Sequence, residues 1–300
     1  MLWAANRDMT TIERTDFRWY VGLAVSAVCV SASAVLLGLA HTTPATATVA
    51  RSLMALPVVA ALAVFERRRN GGLSTAECLS ATACGVLFAG DMLWWTQSIP
   101  EVGAGLSTVL VNTQVAIVPL LAWLVDGERC GPRFLYSLPV VLFGVQLSGG
   151  VFERGVGGTN PGLGTVHAVA AALCYSGFLF LLRRGGQRGG PMQTYTVVLA
   201  AATIVAFAVG LATHSLDMSP GGTAVGWLLL VTITGQLLGW LLAALCTPRL
   251  PSDVSSALLL LTPVGAVGLG ALVLGERPSP LQLTGCMLVL VGSYAGTARR

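Results

Sequence analysis

The sequence predicts an all-α membrane protein, ten transmembrane helices arranged as two inverted five-helix repeats. Three observations predict it. Mean hydropathy is +0.77 over 300 residues, with 54% hydrophobic and only 10% charged side chains, where soluble domains carry roughly 25% charged residues. Apolar runs of bilayer length follow one another along the whole chain. A stretch of the first half recurs in the second at a constant shift of 148 residues.

A bilayer core needs about 20 apolar residues per helix. The expected spans are 17–40, 44–65, 76–98, 102–125, 134–151, 164–182, 192–212, 223–245, 252–274 and 280–297. The runs lack strand-like alternation, and lipid forbids open backbone, so each is read as a helix. The first follows Arg7, Arg14 and Arg18 and is too long for a signal-peptide core, so it is expected to stay uncleaved behind a cytoplasmic segment 1–16. The second span carries Arg51 and the third Asp91, followed by Trp94, Trp95 and Ser98 on the same helical face. The fourth carries Thr108 and Asn112 on one face, with Gln114 turned elsewhere. The fifth holds Gly144-x-x-x-Ser148. A Gly-rich stretch, 155–164, then leads into the sixth span, which carries His167 and Tyr175. Gln236, Trp240 and Gly235-x-x-x-Gly239 lie in the eighth, Thr262-Pro263 in the ninth and Gly292-x-x-x-Gly296 in the tenth. Small residues at this spacing let helices approach closely, either within the chain or between two copies of it.

All 17 basic residues are Arg. With the N-terminus inside, fourteen fall on the cytoplasmic side, Arg18 among them at the inner edge of the first span, and only Arg154 and Arg277 outside, while Arg51 alone lies deep within a span. This bias sets the expected orientation, both termini cytoplasmic, in the plasma (inner) membrane. Without lysine the chain can build neither a Walker A loop nor a pyridoxal Schiff base. A net charge of +4 without a basic block excludes nucleic acid as a partner. The seven cysteines include no C-x-x-C pair and read as small buried hydrophobes, not as a metal site or a disulfide framework. No cofactor is expected.

Segment 101–149 aligns on 249–297, placing Gly127-Glu128-Arg129 on Gly275-Glu276-Arg277 and Gly144 on Gly292. The expected domains are 1–151 and 152–300. Five helices per half is odd, so the second copy enters the membrane in the opposite sense, as in secondary transporters. The run from Gly103-Ala104-Gly105 to Leu121-Ala122-Trp123, the doubled Gly-Glu-Arg and Thr262-Pro263 resemble the EamA-type drug/metabolite transporters. Arg51 sits where that family often has an Arg. Val115 is the first-half equivalent of Pro263, so a kink in the fourth span would have to come from Pro119. The resemblance implies a ten-helix inverted-repeat carrier of small metabolites, and structural roles for Glu128 and Glu276.

An ionisable group inside the bilayer is a functional candidate by default. Asp91 is expected to bind a cationic or zwitterionic solute or a coupling proton, with Arg51 as the alternative, its ion-pair partner. Trp94, Thr108, Asn112, Tyr175, Gln236 and Trp240 are expected to line the cavity. His41, His167 and His214 all map to the outer half and raise an external pH sensor as a further reading. The function expected is alternating-access, proton-coupled export of an amino acid, amine or similar solute, with lipid, substrate and protons as partners and a homodimer as an option. The alternatives are a non-transporting sensor or scaffold of the same fold, or a membrane-embedded enzyme. The last finds no H-E-x-x-H or Gly-x-Ser-x-Gly motif, so the chain is not expected to be an enzyme.

Overall fold

The computed structural model describes residues 2–127, 131–148, 158–184, 190–250 and 252–297. Glu128, Arg129, Cys130 and the start of the Gly-rich stretch at 155 lie outside the described residues. Helices account for almost everything else: α1 Leu2–Ala40, α2 Pro44–Asn70, α3 Thr75–Val102, α4 Ala104–Val111, α5 Gln114–Asp126, α6 Pro132–Ser148, α7 Pro161–Arg184 and α8 Pro191–Ala212. There follow α9 Gly222–Val231, a π-helical segment Thr232–Gly239, α10 Trp240–Cys246, a 3₁₀ turn Thr247–Arg249, α11 Ser252–Leu259, α12 Leu261–Val273 and α13 Pro280–Thr297.

Seven helical stretches are long and apolar enough to cross a membrane, and Leu261–Val273 and Pro280–Gly296 are shorter apolar helices. Within the described residues each expected span falls on helical segments, but several boundaries move. The first helix starts at Leu2 rather than after a separate segment. α3 runs through Pro100 to Val102, three residues into the expected connection. Large apolar side chains such as Tyr136 (80% exposed) and Leu272 (84% exposed) cover the outside of the bundle, a surface that needs lipid rather than water around it.

Local chemistry sets the helix ends. Thr43 caps α2, its Oγ1 accepting from Thr46 N at 3.2 Å, with Pro44 in the first turn. Ser74 and Glu77 form a capping box at α3. α4 stops at Asn112, whose N–H is shared between the carbonyls of Thr108 and Val109, and Val115 N donates back to Asn112 O at 3.0 Å. That tight turn breaks the expected fourth span at 112–113. The break needs no proline: Pro119 lies inside α5. The expected ninth span breaks at Leu260, the same 148-residue shift away, and α4 maps on α11 end for end. The shift also carries α6 onto α13 within one residue at either end, and the start of α2 onto the start of α8 within one residue, α2 running on further.

Packing follows the small residues. α6 lies against α13, where a Cβ on Gly144 would stand 2.8 Å from Gly285 O and one on Gly292 2.8 Å from Val141 Cγ2. α1 lies against α9–α10: Ser26 Oγ donates to Gly239 O at 2.7 Å, and a Cβ on Gly235 would meet Ser33 Oγ. All three small-residue motifs are thus engaged within one chain. α3 packs on α7 and α8, with Gly85 against the Val198 backbone, and α2 packs on α8. At the end of the bundle opposite the chain termini, here the distal end, α4 packs on α12. Toward the proximal end their continuations part. α5 goes to α7, where Arg184 meets Asp126 at 3.0 Å, and α11 goes to α1. Among the described cysteines, Cys84, Cys246 and Cys286 are buried, Cys29, Cys78 and Cys174 half-buried, and all six are free.

Candidate functional site

Asp91 on α3 and Arg51 on α2 are both 2% exposed. An arginine of this size is costly to bury without partners, yet its Nε and Nη2 have no hydrogen-bond partner among the described residues. No N–O contact within 4.0 Å joins it to Asp91, although each lies in the other's electrostatic field. The guanidinium instead stands 5.6 Å from the Trp95 ring, a cation–π distance. Trp95 is one helical turn from Asp91, so α3 offers an acid and an indole on one face. Trp95 Nε1 and Gln236 Nε2 are also buried without partners.

Below these charges, toward the proximal end, five aromatic rings meet. Trp240 lies 6.0 Å from Phe88, 5.8 Å from Phe178, 6.2 Å from Tyr175 and 6.0 Å from Tyr195. Edge-to-face and stacked arrangements both occur, as the ring quadrupole favours. The π-helical segment brings Trp240 there. Such segments insert a residue into the helical ladder and recur at functional sites, and this one has Tyr195 Oη donating to Gln236 O at 3.3 Å. Gly239 leaves no room for a side chain beside Val30, which fixes the line of approach of the next residue, Trp240.

The structure brings together Asp91, Arg51, Tyr175, Gln236 and Trp240 from the sequence-derived set. Trp94 points elsewhere: it is 43% exposed and its ring stacks on His167 at 5.0 Å. Thr108 is buried and donates to Ala104 O at 2.9 Å, and Asn112 forms the break after α4, so both sit on the first half's broken helix rather than among the aromatic rings. Trp95 was read on the Asp91 face, but Trp94 was taken for the site in its place, and Tyr195, Phe88 and Phe178 escaped the sequence reading. These last three carry no charge and fall in apolar runs where ordinary core aromatics would stand.

The histidines do not gather. His167 Nδ1 lies 2.5 Å from Glu101 Oε2, and Gln97 Nε2 donates to the other carboxylate oxygen at 2.7 Å. His41 lines a cavity of about 560 Å³ at the distal end, together with Thr96, Gln97, Leu274, Glu276 and Arg277. His214 sits in the turn after α8. No cluster of three His, Cys, Asp or Glu side chains able to hold a metal occurs among the described residues.

No curated protein matches the chain. A solved protein crystal structure of 17% sequence identity matches 93% of this chain and 96% of its own with a TM-score of 0.57, a likeness of fold alone. The model of the EamA-like transporter family matches twice, over 17–149 and 162–295, which takes in both broken helices and the charged pair between α2 and α3. By that match, the chain belongs to the EamA-like transporter family.

Proposed function

We propose that the chain is a secondary active transporter which moves a small zwitterionic metabolite, an amino acid or a related amine, across the plasma membrane by alternating access. The observation that carries this reading is the pair Arg51 and Asp91, both buried and not bonded to each other. A buried donor left without a partner costs about 1–3 kcal/mol. A solute bearing a carboxylate and an ammonium would satisfy the Arg51 donors and the Asp91 acceptor together. The indole of Trp95 and the ring cluster around Trp240 suit an apolar body extending from those poles toward the proximal end. Asp91, having no ion-pair partner among the described residues, is also the group proposed to carry a coupling proton, and export is the proposed direction.

The same reading takes the helical segments as ten crossings in two inverted halves, 1–151 and 152–300, with both termini in the cytoplasm and the distal end outside. The match in length between α4 and α11 supports it, as does the divergence of α5 from α11. Symmetric halves of opposite sense supply two states of similar energy.

The test compares metabolites inside and outside cells making wild type, Asp91→Asn, Arg51→Gln or no protein. One solute is expected to change its distribution with wild type alone. A shift that survives both substitutions removes the charged pair from the mechanism. No shift across a broad panel, with protein present in the membrane at wild-type level, would favour a sensor or scaffold.

A further inference from the structure

The turn after α12 folds back onto the first half of the chain. Gly275, at φ +68°, allows it, and Glu276 N donates to Gly270 O at 3.2 Å. This places the Glu276 carboxylate at the start of α4: Oε1 accepts from Ala104 N at 2.5 Å and Oε2 from Gly105 N at 3.1 Å. The first N–H groups of any helix lack intrahelical partners, and the positive end of the helix dipole favours an anion there. Hydrogen bonds to an ionised acceptor are roughly twice as strong as neutral ones.

Glycines make room for this contact. A Cβ on Gly103, itself at φ +99°, would stand 3.2 Å from the carboxylate carbon, one on Gly270 2.4 Å from Oε2, and one on Gly105 2.6 Å from Val267 Cα. The same approach seats Leu274 against Gly38, where a Cβ would lie 3.0 Å from Leu274 Cδ1 and 3.8 Å from Ile99 Cγ2. Glu276 therefore stands where α12 and α4 close the distal end, in the wall of the cavity of about 560 Å³. It makes no ion pair with Arg277 beside it.

We infer that Glu276 is the clasp that holds the distal gate shut, a positioning residue that sets the balance between the two access states and does not touch the solute. The inference rests on the alternating-access reading above. For α4 and α12 to part, both hydrogen bonds must break and the Ala104 and Gly105 amides must find water. Weakening the clasp then shifts the population toward the distally open state without altering the Arg51–Asp91 site.

The experiment uses the full chain with its seven native cysteines replaced and Leu106→Cys as reporter, since Leu106 is 4% exposed on α4 and lines the distal cavity. A membrane-impermeant maleimide is applied from each face in turn. Glu276→Gln keeps the shape but loses the charge and one acceptor. Gly103→Ala displaces the carboxylate without changing it. Each is expected to raise the labelling rate from one face about tenfold, equivalent to about 1.4 kcal/mol. Each is also expected to raise the transport KM measured from the opposite face, because fewer molecules are open there. Unchanged labelling, with protein in the membrane at the wild-type level, overturns the clasp. So does failure of both variants to accumulate, which would make the contact a requirement for folding. Labelling needs no solute, so a changed rate with no transported compound would count against the transport reading and leave the clasp standing.

Discussion

Arg51 is the side chain whose chemistry decides most. Its guanidinium presents a planar fork that an ammonium cannot reproduce, so Arg51→Lys keeps the charge but not the bidentate geometry. Arg51→Lys is expected to raise the half-saturating solute concentration at least tenfold, and Arg51→Gln to abolish saturable transport, both read from concentration-dependent uptake. Glu101 and His167 join α3 to α7 through a contact whose two side chains are 8% and 16% exposed. Removing the imidazole leaves Glu101 Oε2 without its partner while Gln97 still donates to Oε1, so His167→Ala should cost about 1–3 kcal/mol of stability, measured as a lower unfolding midpoint in detergent. At this scale the sequence told part of the story. An acid inside an apolar run announces itself, and Asp91 was legible for that reason. Which of its two indole neighbours shares the site was not: Trp94 and Trp95 are 100° apart around the helix, and only the packing of α3 decides that Trp95 meets Arg51 while Trp94 meets His167.

Among the helices, α6 and α13 hold each other through backbone rather than through large side chains. A Cβ on Gly285 would stand 2.4 Å from Ser148 N, an atom that cannot step aside. Gly285→Leu is expected to destabilise the fold by about 1–3 kcal/mol, seen as a lower thermal midpoint, while Leu283→Ala on the outer face of the same helix, 42% exposed, should change it little. The small-residue motifs were readable as sites of close approach, but not their partners, since a symmetric face can meet its own counterpart or a second molecule. The break at 112–113 was equally hidden. Proline is the residue that signals a kink in a sequence, and here the chain turns on shared carbonyls at Asn112 with Pro119 a turn and more away. The π-helical segment has no sequence signature either, and the close contact of its Gly235 and Gly239 with α1 exists only in the folded chain.

Across the whole molecule, the order of helices was the most legible property, because a bilayer demands the same length and the same apolarity of every span. The segments that read less clearly are those interrupted in space, α4–α5 and α11–α12. Reporter tags at the two termini are expected on one side of the membrane, and a tag in the 213–221 connection on the other; a terminus tag found opposite its fellow would require an odd number of crossings. The homodimer option has lost its main sequence support, since the faces that suggested it are used inside one chain.

Pairing between equivalent elements has a consequence for ancestry. The 148-residue shift carries α6 onto α13 and α2 onto α8, and these helices are partners in space. A patch that meets its own equivalent is the mark of a two-fold, isologous interface. A half-length polypeptide of this kind, were it to insert in both senses, would therefore already carry the face on which its second copy packs.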